Sequence, residues 1–157
     1  PEQPGHPVWI DPEEWLGAPA AARFPLHLLT PQPSTRLHGQ MEQSALSRAG
    51  KRDGYEILRM NTEDARARGI ARGDIVRVFN DRGSCLASAE PGDDVLGGVV
   101  LLPTGAHFEP DGAGGDRNSN PNVLTRDIGT SRLGQGCAAQ SCLVEVEPAA
   151  APGLPIL

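Results

Sequence analysis

Short apolar runs separated by long polar or Gly/Pro-rich stretches dominate this chain, and no run keeps a helical period for long. Residues 24–30 (FPLHLLT) predict a first strand, with Pro25 at a sheet edge or a strand start because proline donates nothing to a ladder. Residues 55–60 predict a second strand. Next, Asn61 or Thr62 caps the segment EDARAR, acidic first and basic last, as the helix dipole prefers. Gly69 sits where a left-handed exit belongs, with Ile70 as its apolar contact, so this segment predicts a helix. Residues 75–79, the turn 80–83 and residues 84–88 predict a β-hairpin. Residues 99–102 are apolar on both faces and predict a buried strand, and residues 143–146 predict the last one.

The remaining segments frame these elements. Residues 1–23 read as an arm, in which Asp11-Pro12-Glu13-Glu14 starts one helical turn and Gly17 stops it. Trp9 and Trp15 are expected to pin that turn against the domain or a neighbour. The run 34–52 is polar and aperiodic and reads as loop, with a helical turn around 41–47. Residues 148–157 read as a disordered tail. The domain proper is therefore 24–147, mainly β with a few helices, and a compact β-barrel fits the order of elements.

Composition narrows the picture. A chain of 157 residues makes one domain, and 19 glycines and 15 prolines with 4% aromatics suit short strands and long loops. A net charge of −6 without a Lys/Arg run argues against nucleic acid as a partner. Lys51 is the single lysine. Three cysteines, Cys85, Cys137 and Cys142, form no C-x-x-C pair, which speaks against a disulfide framework or a zinc site and for small buried hydrophobes. No apolar run predicts insertion into a membrane. The chain starts at Pro1 without an initiator methionine and is expected to be part of a longer protein, so its compartment is not read from it.

The polar stretch 116–142 carries the candidate chemistry. It lies between two apolar strands and cannot supply a core, so a binding loop is expected. Asn118, Asn120 and Asn122 alternate around Pro121, a pattern that by itself predicts turn residues. Asp127 could cap a turn or accept from a ligand's N–H groups. His6, His27 and His107 lack ligand spacing and read as packing or surface residues.

Three stretches carry a resemblance: residues 24–40 (FPLHLLTP through RLHGQ), residues 71–83 (ARGDIVRVFNDRG) and residues 116–131 (DRNSNPNVLT through DIGTS). In this order and spacing they resemble the C-terminal domain of the dimethyl sulfoxide reductase family of molybdoenzymes, on the branch with biotin sulfoxide and trimethylamine-N-oxide reductases. The resemblance implies a double-psi β-barrel that covers one side of a bis(molybdopterin guanine dinucleotide) molybdenum cofactor. That cofactor would be shared with the remaining domains of the parent enzyme and not retained by the isolated chain. It implies cofactor contacts at Thr30, Gln32, Arg36, Leu37, His38, Gly39 and Gln40, and at Asn118, Asn122 and Gln140. Arg36 could fork onto the pyrophosphate, while neutral Asn, Gln and Thr groups suit pterin edges that both donate and accept. The sequence departs from the family at Thr30-Pro31-Gln32, where Ser-x-His is common, and at His38-Gly39-Gln40, where His-Ser-Gln is common. No catalytic residue is expected here, because the family's ligand to the metal lies outside these stretches. Two alternatives use the same barrel: a protein-interaction module, and a self-processing decarboxylase cleaving at Gly83-Ser84.

Overall fold

The computed structural model describes residues 5–149. Seven strands form: β1 (Leu26–Leu29), β2 (Ile57–Asn61), β3 (Ile75–Phe79), β4 (Ser84–Gly92), β5 (Val99–Leu101), β6 (Gly115–Asp116) and β7 (Leu143–Pro148). Their order is β2-β5-β1-β7-β3-β4-β6, and a further β2–β4 pairing closes the first six into a barrel. Within the barrel two parallel pairs, β1 with β5 and β2 with β4, sit among antiparallel neighbours, and the short β6 adds to β4 in parallel outside it. The fold is the double-psi β-barrel that the sequence implies.

Strict alternation places the core. In β2 Leu58 and Met60 point in and Arg59 points out, and in β3 Val76 and Val78 point in around Arg77. Ala87 and Ala89 of β4 are fully buried, and their small size leaves room for Leu26, Leu28, Val100 and Val144 from the other strands. The helix α2 (Thr62–Ala67) crosses from β2 toward β3. Asn61 Oδ1 accepts the Glu63 N–H, and at the far end Ile70 N–H bonds Ala65 O while Gly69 N–H bonds Arg66 O. That pair of bonds needs the left-handed backbone seen at Gly69 (φ +66°) and lets Ile70 bury against the helix. The β3–β4 hairpin closes through Asn80 N–H to Gly83 O, with Gly83-Ser84 at its exit.

Several expectations shift. Pro25 precedes β1, an internal strand, so it marks the strand start rather than an edge. A short helix α1 (Ala45–Ala49), capped by Ser44, replaces the turn expected at 41–47. β7 extends to Pro148 and Ala149 N–H bonds Ile75 O, so the first two residues assigned to the tail belong to the barrel; 150–157 lie outside the described residues. The arm holds no helical turn at 11–16; a 3-10 helix forms instead at Pro19–Ala22. Trp9 is 76% exposed and does not pin the arm. Glu14 does: its carboxylate takes both ends of the Arg82 guanidinium (2.6 and 2.9 Å) and the Leu143 N–H (2.8 Å). A carboxylate that can bond a buried strand amide and an arginine fork outweighs one helical turn. Cys85 and Cys142 are buried as expected, whereas Cys137 is exposed.

Candidate functional site

At the end of β1 the backbone leaves the barrel as the loop 30–41, and segment 138–142 returns to it beside the same strand. Gln140 clamps the junction: its Oε1 accepts the Thr30 N–H (3.0 Å) and its Nε2 donates to Thr30 Oγ1 (2.9 Å). His27 Nε2 donates to the Gln140 carbonyl at 2.6 Å. Thr30 and Gln140, 110 residues apart, are thus direct partners. The loop is also tied to the chain after β5, through Leu102 N–H to Leu29 O and Thr104 N–H to Pro31 O.

Within the loop, Gln32 is a brace. Its Nε2 donates to Arg36 O (2.5 Å) and its Oε1 accepts the His38 N–H (3.1 Å), so one side-chain amide bridges five residues of backbone. Gln40 N–H bonds Leu37 O. Leu37, His38 and Gln40 are exposed, and Gly39 is partly so. His38 (φ +49°) and Met41 (φ +60°) hold left-handed backbone, which costs a residue with a Cβ roughly 1–2 kcal/mol each. The carbonyl of His38 lies against Gly105 so closely that a Cβ on Gly105 would stand 2.0 Å from it.

Arg36 corrects its expectation. Its guanidinium is buried with only 1% of the side chain exposed, donates to Thr104 O (2.8 Å) and lies 2.9 Å from Glu56, so it does not present a fork to a pyrophosphate. The Glu56 contact is a close charge pair without hydrogen-bond geometry, which leaves Arg36 Nε and Glu56 Oε1 as buried atoms lacking a hydrogen bond. Asn118 is likewise occupied from within. Its Nδ2 donates to His107 O (2.9 Å) and Glu42 Oε1, and its Oδ1 accepts from Lys51 Nζ (3.1 Å). Asn122 stands differently: it lies on the 3-10 turn Pro121–Val123, is exposed, and its carboxamide has no partner among the described residues. Asp127 is exposed too and makes no cap bond among them.

The sequence left a buried ion cluster unannounced. Lys51 Nζ contacts Glu42 Oε1 and lies 3.6 Å from Glu56 Oε1, the same oxygen that Arg36 approaches. Two cations and two carboxylates, each with 6% or less of its side chain exposed, thus lie beneath the loop. Burial pushes the Glu42 carboxyl up, but the hydrogen bond and charge of Lys51 outweigh it and hold the group below the usual carboxylate range. His107 connects this cluster to the loop. It places Nε2 3.0 Å from Gly39 O and Nδ1 3.6 Å from Glu42 Oε2. Asp116 shapes the polar stretch in the same manner: its buried carboxylate accepts the N–H groups of Glu109, Asn118 and Asn120. Among the described residues no cluster of His, Cys, Asp and Glu has the makings of a metal site. Only the single lysine, placed in a polar run, hinted at this cluster, since periodicity finds apolar faces and not buried ion pairs.

A cleft of about 400 Å³ opens between the arm and the polar stretch, lined by Glu13, Glu14, Arg126, Ile128, Thr130 and Ser141. At the end of β1, Thr30 and Gln140 present a surface of neutral amide and hydroxyl groups, and the exposed Asn122 carboxamide is another neutral group in the polar stretch. Such a surface pairs with ligand edges that alternate donors and acceptors. It offers no nucleophile with an adjacent base.

The family model described as "Molydopterin dinucleotide binding domain" matches residues 26–143. The chain is 51% identical over 143 residues to biotin sulfoxide reductase of Cereibacter sphaeroides, covering 90% of this chain and 19% of that protein. It is 46% identical over 155 residues to trimethylamine-N-oxide reductase of Salmonella typhimurium, covering 94% and 18%. Acetylene hydratase from Pelobacter acetylenicus shares the fold, with a TM-score of 0.72 at 14% identity over 91% of this chain and 21% of that one. The chain therefore spans about a fifth of the length of the curated relatives it matches. With a family match across most of its barrel and close relatives along nearly its whole length, the chain belongs to the molybdopterin dinucleotide-binding domain family.

Proposed function

We propose that this chain is the C-terminal cofactor-binding module of a molybdenum enzyme that reduces S-oxides or N-oxides by oxygen-atom transfer. The observation that carries the reading is the Thr30–Gln140 pair. Two residues that the resemblance implies as cofactor contacts, 110 positions apart in the chain, meet there through two hydrogen bonds at the end of β1. Relatives named as biotin sulfoxide and trimethylamine-N-oxide reductases support the reaction class.

The residues present fit a pterin dinucleotide. The Asn122 carboxamide and the Gly39 N–H have no partner among the described residues, and both lie in polar loops rather than in a packed core. Asn122 can donate and accept on one edge, Gly39 can donate, and the Thr30–Gln140 pair offers its remaining lone pairs and N–H. Leu37, His38 and Gln40 would contribute exposed surface, and Gln32 acts through the backbone it braces. Arg36 and Asn118 support the site from beneath. When bound, the cofactor supplies the two-electron chemistry; this chain binds and orients it and excludes water from one side. A site divided between this domain and the remainder of the parent enzyme holds its ligand weakly when one part is missing, because contacts are lost while the entropic cost of binding stays.

Titration of the 157-residue chain with guanosine diphosphate, followed by amide NMR, tests the reading. Signals of Gly39, Asn122 and Gln140 are expected to move with a Kd on the order of 1 mM, about −4 kcal/mol. Asn122→Ala is expected to weaken that binding without lowering stability. Nucleotide at several millimolar that leaves these three signals in place would count against the reading and for an interaction module.

A further inference from the structure

We propose that His107 is a positioning residue for the cofactor loop: its Nε2–H anchors the Gly39 carbonyl and so fixes the 37–40 turn, in which the His38 carbonyl packs against Gly105 and the Gly39 N–H, anti to it across the planar peptide, is left as a donor to an oxygen atom of the ligand. The inference rests on reading 37–40 as cofactor contacts and adds to it a residue that the sequence assigned to packing or to the surface.

Three carbonyls of the loop have internal partners. Arg36 O takes Gln32 Nε2, Leu37 O takes the Gln40 N–H, and Gly39 O lies 3.0 Å from His107 Nε2. The His38 N–H is taken by Gln32 Oε1, whereas the Gly39 N–H has no partner among the described residues. With three carbonyls turned in and the Gly39 N–H left free, this part of the loop can donate to acceptor atoms of a ligand. This arrangement has an energetic cost, since His38 and Met41 on either side of the bond hold left-handed backbone. Strain of that kind persists only where surrounding contacts over-determine it. Gly105 supplies one such contact by lacking a side chain against His38 O, and His107, two residues further on, supplies the other.

The protonation of the ring follows from its partners. A carbonyl accepts and does not donate, so the nitrogen facing Gly39 O carries a hydrogen. The other nitrogen faces the buried Glu42 carboxylate, which Lys51 and Asn118 hold in place from behind. His107 is thereby braced by the ion cluster while its own ring stays largely exposed, and its main chain is fixed by Asn118 Nδ2 on its carbonyl.

Two measurements on the 157-residue chain test this without any cofactor. Nitrogen-15 spectra of the histidine rings are expected to show Nε2 of His107 protonated; a ring protonated only at Nδ1 overturns the proposal. In His107→Ala, amide exchange at Gln40 and His38 is expected to rise about fivefold, the worth of one net hydrogen bond, while Val78 in the barrel exchanges as before. His107→Gln places an amide N–H at comparable reach and is expected to restore slow exchange. Unchanged exchange in His107→Ala, or an equal rise in His107→Gln, overturns the proposal. Such a failure leaves the cofactor reading standing, because nucleotide titration decides that separately.

Discussion

Replacing Lys51 by methionine probes the ion cluster where its energetics are most exposed to measurement. The ammonium contacts Glu42, lies 3.6 Å from Glu56 and donates to Asn118 Oδ1. Methionine fills much of the same volume but leaves Glu42, 1% exposed, without its main cation. A buried carboxylate stripped of its partner costs about 3–5 kcal/mol if it stays ionised. It escapes part of that by taking a proton, and from the ordinary value of 4.5 this costs about 3.4 kcal/mol at pH 7. The loss is therefore capped at about 3.4 kcal/mol at pH 7, and the cap falls by about 1.4 kcal/mol for each pH unit below it. In the variant the folded pKa lies above the unfolded one, so the defect grows as pH rises and shrinks toward pH 5.5, where about 1.4 kcal/mol remains. Urea unfolding of the wild type, Lys51→Met, Glu42→Gln and the double variant at pH 5.5 and 7.0 measures this. The double variant is expected to recover most of the loss, because a neutral amide can keep the Asn118 contact without a charge. A defect under about 1 kcal/mol, or one equal at both pH values, refutes the reasoning; it would place the cluster with solvent-screened pairs such as Arg66–Glu63, which are worth about 0–1 kcal/mol.

Two further outcomes follow from the arm and the thiols. Burial raises the Glu14 carboxyl, but hydrogen bonds from Arg82 and Leu143 N–H and the charges of Arg82 and Arg126 hold it below the usual range. Its contribution is therefore present in full above pH 4.5 and is lost as pH falls through the lower folded value. Glu14→Gln is expected to lower stability by about 1–3 kcal/mol at pH 7, with the gap to wild type closing in acid; thermal melts across pH 3–7 check it. One thiol of three is expected to react promptly with a disulfide reagent in the native protein, and all three in denaturant. Cys137 is exposed, whereas burial pushes the Cys142 thiol up to about 11, against the pull of Arg82, and raises Cys85 further. Prompt reaction of two or more thiols would contradict the buried placement.

Local order was written into the chain, and the barrel strands show it. Alternation in 57–61 and 75–79, the capped segment 61–70 with its glycine exit, and the hairpin at 80–83 each rest on interactions within a few residues, so they are legible from spacing alone. Thr30, Gln140 and Asn122 were marked only by their kinship to a family; Gln140 and Asn122 are exposed and Thr30 is partly so. What only the tertiary structure decided is where charges go. Arg36 turned inward to Glu56, Asn118 was taken up by Lys51 and His107, and Glu14 rather than Trp9 fastened the arm. A polar side chain's partner is set by which distant strand end passes within about 3 Å of it, and a polar segment looks the same in sequence whether its charges are solvated or paired in the interior. The sequence determined the barrel and the family; closure of the barrel decided which polar groups remained free to meet a ligand.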